Sequence, residues 1–204
     1  MNIERPKSRQ PIPDHAKRVF KGLIFDVYQW EQEMYDGART IFEKIKRSDT
    51  VIIFAVLPDG KIILTEQEQP GSELFIGATG GRVDEGEDIL TAAKRELLEE
   101  SGYIAEEFIL WDAQQPMNKI DWAVYTFVAK GLKKVSDMSL DGGEKIKLFS
   151  VTLDELIKIA TSSERRKFGE KEIIYKLFQA KLDPKKYEEL KELFSPTQGR
   201  TPTP

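Results

Sequence analysis

A carboxylate-dense segment, Gly81 to Tyr103, reads GRVDEGEDILTAAKRELLEESGY and constrains this chain more than any other stretch. Ile89, Leu90, Ala93 and Leu97 recur at three- and four-residue spacing, which predicts a helix with one apolar stripe against a core. Gly102 is placed to end that helix as a C-terminal cap. Glu96 stands one turn before Glu99 and Glu100, so three carboxylates crowd one face. Glu87 lies at the helix entry, where the macrodipole favours negative charge. Like charges at this spacing are destabilising by roughly 0.2–0.5 kcal/mol per pair, and Arg95 offsets only part of that. An arbitrary Glu-rich helix is ordinarily a solvated face. A hard divalent cation would resolve the crowding, because it is held by carboxylate oxygens and keeps water or phosphate oxygens in its other positions.

The spacing decides between these readings. Gly81, Glu87, Arg95, Glu96, Glu99, Glu100 and Gly102 would fall in this register by chance on the order of once per million chains at average residue usage. The stretch resembles the signature of the Nudix hydrolases: a glycine, five residues, a glutamate, seven residues, Arg-Glu, an aliphatic residue, any residue, Glu-Glu, any residue, glycine and a final aliphatic residue. Tyr103 departs from the last position, which is a packing position. The resemblance implies an α/β fold, the Nudix α/β/α sandwich with a mixed sheet, over about residues 50–182.

Going further back, VFKGLIFDVYQWEQEMYDGARTIFEKIKR and PDGKIILTEQEQP are similar to the N-terminal region of the ADP-ribose pyrophosphatase branch. That likeness implies an N-terminal antiparallel strand extension that crosses to a twin subunit, hence a homodimer. The implied division is a flexible arm over 1–17, the dimerising extension over 18–48, the hydrolase domain over 49–194 and a disordered tail over 195–204.

The same resemblance carries roles position by position. It implies Glu96 and Glu100 as the main ligands of Mg²⁺, with Mn²⁺ as a substitute, Glu99 assisting and the Gly80 carbonyl contributing. Glu87 and Arg95 form an ion pair that holds the cluster, and Gly81 and Gly102 are structural. Arg95 and Glu99 are also candidates for a catalytic role. The general base falls in LDGGEKIKLFSVT, where Glu144 is the first candidate and Asp141 the second; the alternative is a plain β-turn at Asp-Gly-Gly. Phe42 falls where the branch sets an aromatic ring against the base and Arg47 on a substrate-binding arginine, with Tyr28 and Trp30 as further stacking candidates. Gln69 replaces an arginine expected before proline, and Gly77 replaces the glutamate of the usual Glu-aliphatic-Pro-Ala-Gly run. These two departures imply hydrolysis of a nucleotide sugar with a preference broader than ADP-ribose. A non-catalytic Nudix ligand-binding sensor and a nucleoside triphosphate housecleaning pyrophosphatase are the competing classes.

Composition narrows the chemistry further. The 204 residues are 40% hydrophobic and 32% charged, enough for one domain with a real core. A net charge of −4 with interspersed basic residues lacks the footprint of a nucleic-acid binder. There is no cysteine, which removes disulfides, thiolate catalysis and sulfur-ligated zinc. The single histidine, His15, sits in a Pro-rich basic arm, so a general base must come from a carboxylate or, failing that, a lysine or tyrosine. The apolar run Val51–Leu57 is too short to span a bilayer, no membrane partner is expected, and the chain reads as cytoplasmic.

Strand patterns run from Val19 to a turn at Asp36-Gly37, back over Arg39–Lys46, and through a second hairpin, Val51–Leu57 and Lys61–Glu68. Further strands are expected at Leu74–Thr79, Phe108–Ala113, Trp122–Ala129 and Ile146–Val151. Helices are expected at Thr152–Ala160, opened by a capping box, at Glu170–Leu182 and at Pro184–Phe194.

Overall fold

The computed structural model describes residues 3–140, 142–143, 145–162 and 167–197. In chain order it contains β1 (Lys17–Lys21), β2 (Asp26–Glu33), β3 (Arg39–Lys46), β4 (Thr50–Val56), β5 (Ile62–Glu68), β6 (Phe75–Gly77) and β7 (Thr79–Arg82). There follow α1 (Ile89–Ser101), β8 (Tyr103–Ile104), β9 (Glu107–Gln114), β10 (Ile120–Asp121), β11 (Val124–Lys130), β12 (Lys133–Lys134) and β13 (Lys145–Val151). The chain closes with α2 (Leu153–Thr161), α3 (Ile174–Leu182) and α4 (Pro184–Leu193).

β4 and β11 organise the domain. They pair in parallel from Val124 opposite Thr50 to Ala129 opposite Ala55, and β4 is apolar on both faces. Because side chains alternate along a strand, Ile52, Phe54 and Val56 enter one core and Val51, Ile53 and Ala55 the other. The first core is covered by α2, α3 and α4 through Leu156, Ile157, Leu177 and Leu190. The second is covered by α1 through Ala92, Ala93 and Leu97. Helices on both faces of a mixed sheet in the order β13-β5-β4-β11-β9 make the expected α/β/α sandwich.

The helices begin and end where side-chain chemistry permits. α1 is capped by Asp88, whose carboxylate accepts the Leu90 and Thr91 N–H groups at 3.0 and 3.1 Å. Gly102 ends it at φ 69°, where a β-carbon would strike the Ser136 carbonyl. Thr152 and Glu155 form the expected capping box at α2. Residues expected to open one helix at Glu170 instead make a 3-10 turn at Lys171–Ile173 before α3.

Two strand expectations needed tertiary information. The run from Val19 to Asp36 reverses at Gly22–Phe25, where the Gly22 N–H reaches the Phe25 carbonyl at 2.9 Å, so it forms two antiparallel strands. The expected strand Leu74–Thr79 changes partner at Ala78: β6 pairs with β5, whereas β7 pairs with β4. The segment 3–16 has no helix or strand, yet it is fastened to the domain. Arg5 binds Asp49 and Asp121, and the buried Lys44 donates to Ser8 Oγ and the Gln10 carbonyl, each at 2.6 Å.

A strap before α3 closes the free edge of β6. Phe168 is buried in the core, the Gly169 N–H reaches the Ile76 carbonyl at 2.7 Å, and Glu170 Oε1 accepts the Ala78 N–H at 2.8 Å. Burial pushes the Glu170 carboxyl up from 4.5 to about 7, against the opposing pull of the Ala78 N–H. A folded value above the unfolded one stabilises the fold at pH below about 4.5, and that contribution is lost as pH rises through about 7. Glu170→Gln has no proton to lose. Its melting temperature relative to wild type should therefore rise between pH 5 and pH 8 and level off above; thermal circular dichroism at constant ionic strength measures it, and a pH-independent difference would contradict it.

Candidate active site

The acidic face of α1 is assembled around one guanidinium. Arg95 Nε and Nη2 hold the two Glu87 oxygens at 3.0 Å each, Nη1 reaches Glu96 Oε1 at 2.8 Å and Glu99 Oε2 at 3.1 Å, and Nη2 also reaches the Arg82 carbonyl at 2.9 Å. All five N–H donors of the side chain are thereby used. The hydrogen bonds from Arg95 hold the Glu87 carboxyl below its ordinary range, and the same bonds raise Arg95. The Asp84 N–H adds a bond to Glu87 at 3.1 Å and ties the turn before the helix to the pair.

Glu96 and Glu100 lie one turn apart and are both buried. β7 passes close above them. The Gly80 N–H donates to Glu100 Oε2 at 2.7 Å. A β-carbon on Gly81 would stand 2.5 Å from Glu96 Oε1, so only glycine leaves room for that carboxylate.

A cavity of about 320 Å³ opens beside this face. Glu96, Glu99 and Glu100 line it together with Arg47, Arg82 and Arg95, and Leu23 and Ile24 from the β1–β2 connection stand at its mouth. Arg47 lies over the Trp122 ring at 4.7 Å and near Phe25 at 5.9 Å, and desolvation lowers its pKa. Its Nε is buried without a hydrogen-bond partner among the described residues. A desolvated guanidinium with a spare donor is suited to an anion.

The donor set fits a hard divalent cation. It offers carboxylate oxygens and a backbone carbonyl, with no sulfur or imidazole. Two buried carboxylates one turn apart repel, and the shared Arg95 answers one of them directly. Among the described residues no three Asp, Glu, His or Cys side chains are gathered closely enough to hold a metal by themselves.

Residues 46–174 match the model of the NUDIX domain. The chain belongs to the NUDIX family. It is 30% identical over 163 residues to the methanol dehydrogenase activator of Bacillus methanolicus, covering 78% of this chain and 86% of that protein. It is 29% identical over 151 residues to an ADP-ribose pyrophosphatase of Bacillus subtilis, covering 72% and 82%. A solved ADP compounds hydrolase superposes with a TM-score of 0.64 over 91% of this chain and 98% of that one, at 19% identity, which supports the fold.

Not every Nudix site residue expected from the sequence stands at this cavity. Gly81, Arg95, Glu96, Glu99, Glu100 and Arg47 line it, Gly80 and Glu87 bond to residues that do, and Gly102 ends the helix. Trp30 and Phe42 instead pack on each other with ring centroids 6.1 Å apart, and Tyr28 lies in a separate cleft under the N-terminal arm. Alternation along β2 and β3 turns all three toward the face that carries the buried Lys44. Gln69 is exposed in the turn after β5, where its N–H meets Ser72 Oγ. Glu144 and Asp141 lie outside the described residues. Sequence reasoning missed Asp88, Arg82, Leu23 and Ile24. The Asp88 cap was visible in principle, since Asp immediately precedes the apolar stripe.

Removing the central cation should be expensive. Arg95→Met leaves Glu87 and Glu96 without their common donor, and unfolding free energy in metal-free buffer should fall by about 2–3 kcal/mol in a urea titration. A loss under about 0.5 kcal/mol, the ordinary scatter of surface substitutions, would show that the carboxylates are held by other groups.

Proposed function

We propose that the protein hydrolyses the pyrophosphate bond of a nucleoside diphosphate linked to a second moiety, ADP-ribose or a related nucleotide sugar, releasing a nucleoside monophosphate and a sugar phosphate. The observation that carries this reading is one cavity with Glu96, Glu99 and Glu100 on its walls together with Arg47 and Arg82. A diphosphate needs both cations for its oxygens and carboxylates for an accompanying metal. The relatives named ADP-ribose pyrophosphatase and ADP compounds hydrolase NudE agree with that substrate class.

Nudix hydrolases use a divalent cation, and here Mg²⁺, with Mn²⁺ as its substitute, would be held by Glu96, Glu100, Glu99 and the Gly80 carbonyl. When bound, it supplies charge neutralisation for the phosphate oxygens and lowers the pKa of water. The chain's own groups do the rest. Arg47 and Arg82 bind non-bridging phosphate oxygens, while Leu23 and Ile24 cover the organic part of the substrate. Arg95 holds Glu87, Glu96 and Glu99 in place through the reaction. Water attacks phosphorus, the bridging P–O bond breaks, and the departing phosphate keeps the bridging oxygen. The proton of the attacking water passes to a carboxylate, with Glu144 as first candidate and Asp141 as second. Ser139 lines the cavity, and its N–H is bound to the Glu99 carbonyl at 2.8 Å, which brings the chain leading to both candidates alongside α1. Since Gln69 stands away from the cavity, Arg47 and Arg82 are left to read the diphosphate, and a preference broader than ADP-ribose follows.

Nucleotide sugars, dinucleotides and triphosphates assayed with Mg²⁺ for released monophosphate test this reading. Sugar and ADP-ribose substrates should be cleaved, and Glu100→Gln should lower kcat roughly 10²–10³-fold while the fold melts no earlier. Cleavage of triphosphates alone would favour the housecleaning reading, and binding without turnover a sensor.

A homodimer belongs to the same proposal. Phe20, Val27, Ile45 and Ile41 share one face of the N-terminal sheet, and Phe20 and Ile41 are 58% and 59% exposed. They share that face with Gln29, Glu31 and Glu43, and exposed apolar side chains grouped on a sheet face in this way suit a partner surface. The double substitution Phe20→Glu with Ile41→Glu should turn a dimer into a folded monomer in light scattering. A variant that stays dimeric would move the interface elsewhere.

A further inference from the structure

We propose that Glu170, from a strap ninety-two residues further along the chain than Ala78, is a positioning residue for the hydrolytic site: its carboxyl group fixes the strand switch that delivers Gly80 and Gly81 to the α1 glutamates. The inference rests on the function proposed above.

The need for such a group follows from the ladders. β6 ends in register with β5 at Gly77 opposite Thr65, and β7 starts in register with β4 at Thr79 opposite Ile53. Ala78 lies between the two registers and is 3% exposed, so its N–H has no strand partner and must find another acceptor. Glu170 Oε1 supplies it at 2.8 Å. The next three residues are each pinned to a different group: Thr79 Oγ1 to the Ile53 carbonyl at 3.0 Å, the Gly80 N–H to Glu100 at 2.7 Å, and Gly81 against the Glu96 carboxylate. The Ala78 carbonyl is held on the other side by Thr65 Oγ1 at 3.3 Å. Within this run the Ala78 N–H anchor alone comes from neither the sheet nor α1.

Position 77 is shaped by the same carboxyl group. A β-carbon on Gly77 would stand 2.6 Å from Glu170 Oε1 and 3.5 Å from Thr65 Oγ1, so any larger residue must push Glu170 aside. The strap is held from its other end by Phe168 in the core and by the Gly169 N–H on the Ile76 carbonyl. It therefore runs beside β6 as a short backing piece, with Glu170 directed at the switch. A shift of Ala78 would move Gly80 relative to Glu100, and supporting groups of this kind typically change metal affinity or activity by 10–100-fold when removed.

The test uses the full chain with two readouts: free Mn²⁺ counted by electron paramagnetic resonance, and kcat and KM on the nucleotide-sugar panel. Glu170→Gln keeps an acceptor oxygen and should leave the Mn²⁺ dissociation constant within about two-fold of wild type. Glu170→Leu should raise that constant, and lower kcat, by roughly ten-fold with KM unchanged. Gly77→Ala retains every hydrogen-bonding group, and in the wild-type background should weaken Mn²⁺ binding by displacing the carboxyl; added to Glu170→Leu it should do nothing further. A lowered melting temperature with unchanged Mn²⁺ affinity and kcat in both Glu170→Leu and Gly77→Ala, or additive effects in the double variant, would overturn the proposal. If Glu170→Leu does not fold, Gly77→Ala decides alone. Should no substrate on the panel be cleaved, the functional reading fails, while the Mn²⁺ measurements still decide the role of Glu170.

Discussion

Four carboxylates gather around one guanidinium, and the active face of this protein exists because Arg95 can serve three of them and a backbone carbonyl at once. Nε and Nη2 hold Glu87 while Nη1 serves both Glu96 and Glu99, all within 3.1 Å. A lysine at this position would be a single point charge and could not hold the two Glu87 oxygens while also reaching Glu96. The bond to the Arg82 carbonyl links the helix back to the strand that precedes it. Glu87 and Glu96 therefore stay fixed although the helix carries too many negative charges for one face, and that unrelieved excess is what makes the face attractive to a divalent cation.

The remaining geometry is set by how closely β7 can approach α1. Gly81 leaves the space that the Glu96 carboxylate occupies, and Gly80 brings its N–H onto Glu100. Packing makes this approach possible from behind. β4 is buried on both faces, so its odd-numbered residues hold α1 through Ala92, Ala93 and Leu97 while the even-numbered ones hold α2, α3 and α4. The α1 side carries the cavity lined by Glu96, Glu99 and Glu100, and the opposite side is packed under three helices, so chemistry and much of the packing are divided between the two faces of one sheet.

What could be read from sequence divides along the same line. The helix at 89–101, its glycine stop, the capping box at Thr152 and the both-faced burial of β4 follow from patterns a few residues long, and so does the clustering of the glutamates. Strand breaks were not legible, because the reversal at Gly22–Phe25 and the switch at Ala78 depend on which neighbour each strand finds. Aromatic residues in an alternating strand were ambiguous for a similar reason. Nothing local says which face of β2 and β3 looks toward a ligand, and Tyr28, Trp30 and Phe42 turned out to share the face with Lys44 and the arm. Gln69 and Arg82 exchanged importance once the turn after β5 was seen to lie outside the cavity while β7 ran along it. Glu170 was beyond reach altogether: in sequence it is one more acid between a glycine and a lysine.

That invisibility has a physical cause. A motif can encode groups that touch substrate or metal because their spacing on one helix is fixed by the 3.6-residue turn. The groups that hold those elements against one another face no such rule. Arg5 joins the arm to Asp49 and Asp121, and Glu170 joins the last helical region to the strand switch; each closes a gap of more than forty residues with one side chain. Such contacts are constrained only by where the folded backbone leaves a donor or acceptor unanswered. Asp49 shows the consequence, since its carboxylate takes both Arg5 and the Ala123 N–H and so registers the arm, β4 and the start of β11 together. The precision of a site written in one helix thus depends on residues scattered through the chain, each identifiable only by the polar atom it satisfies.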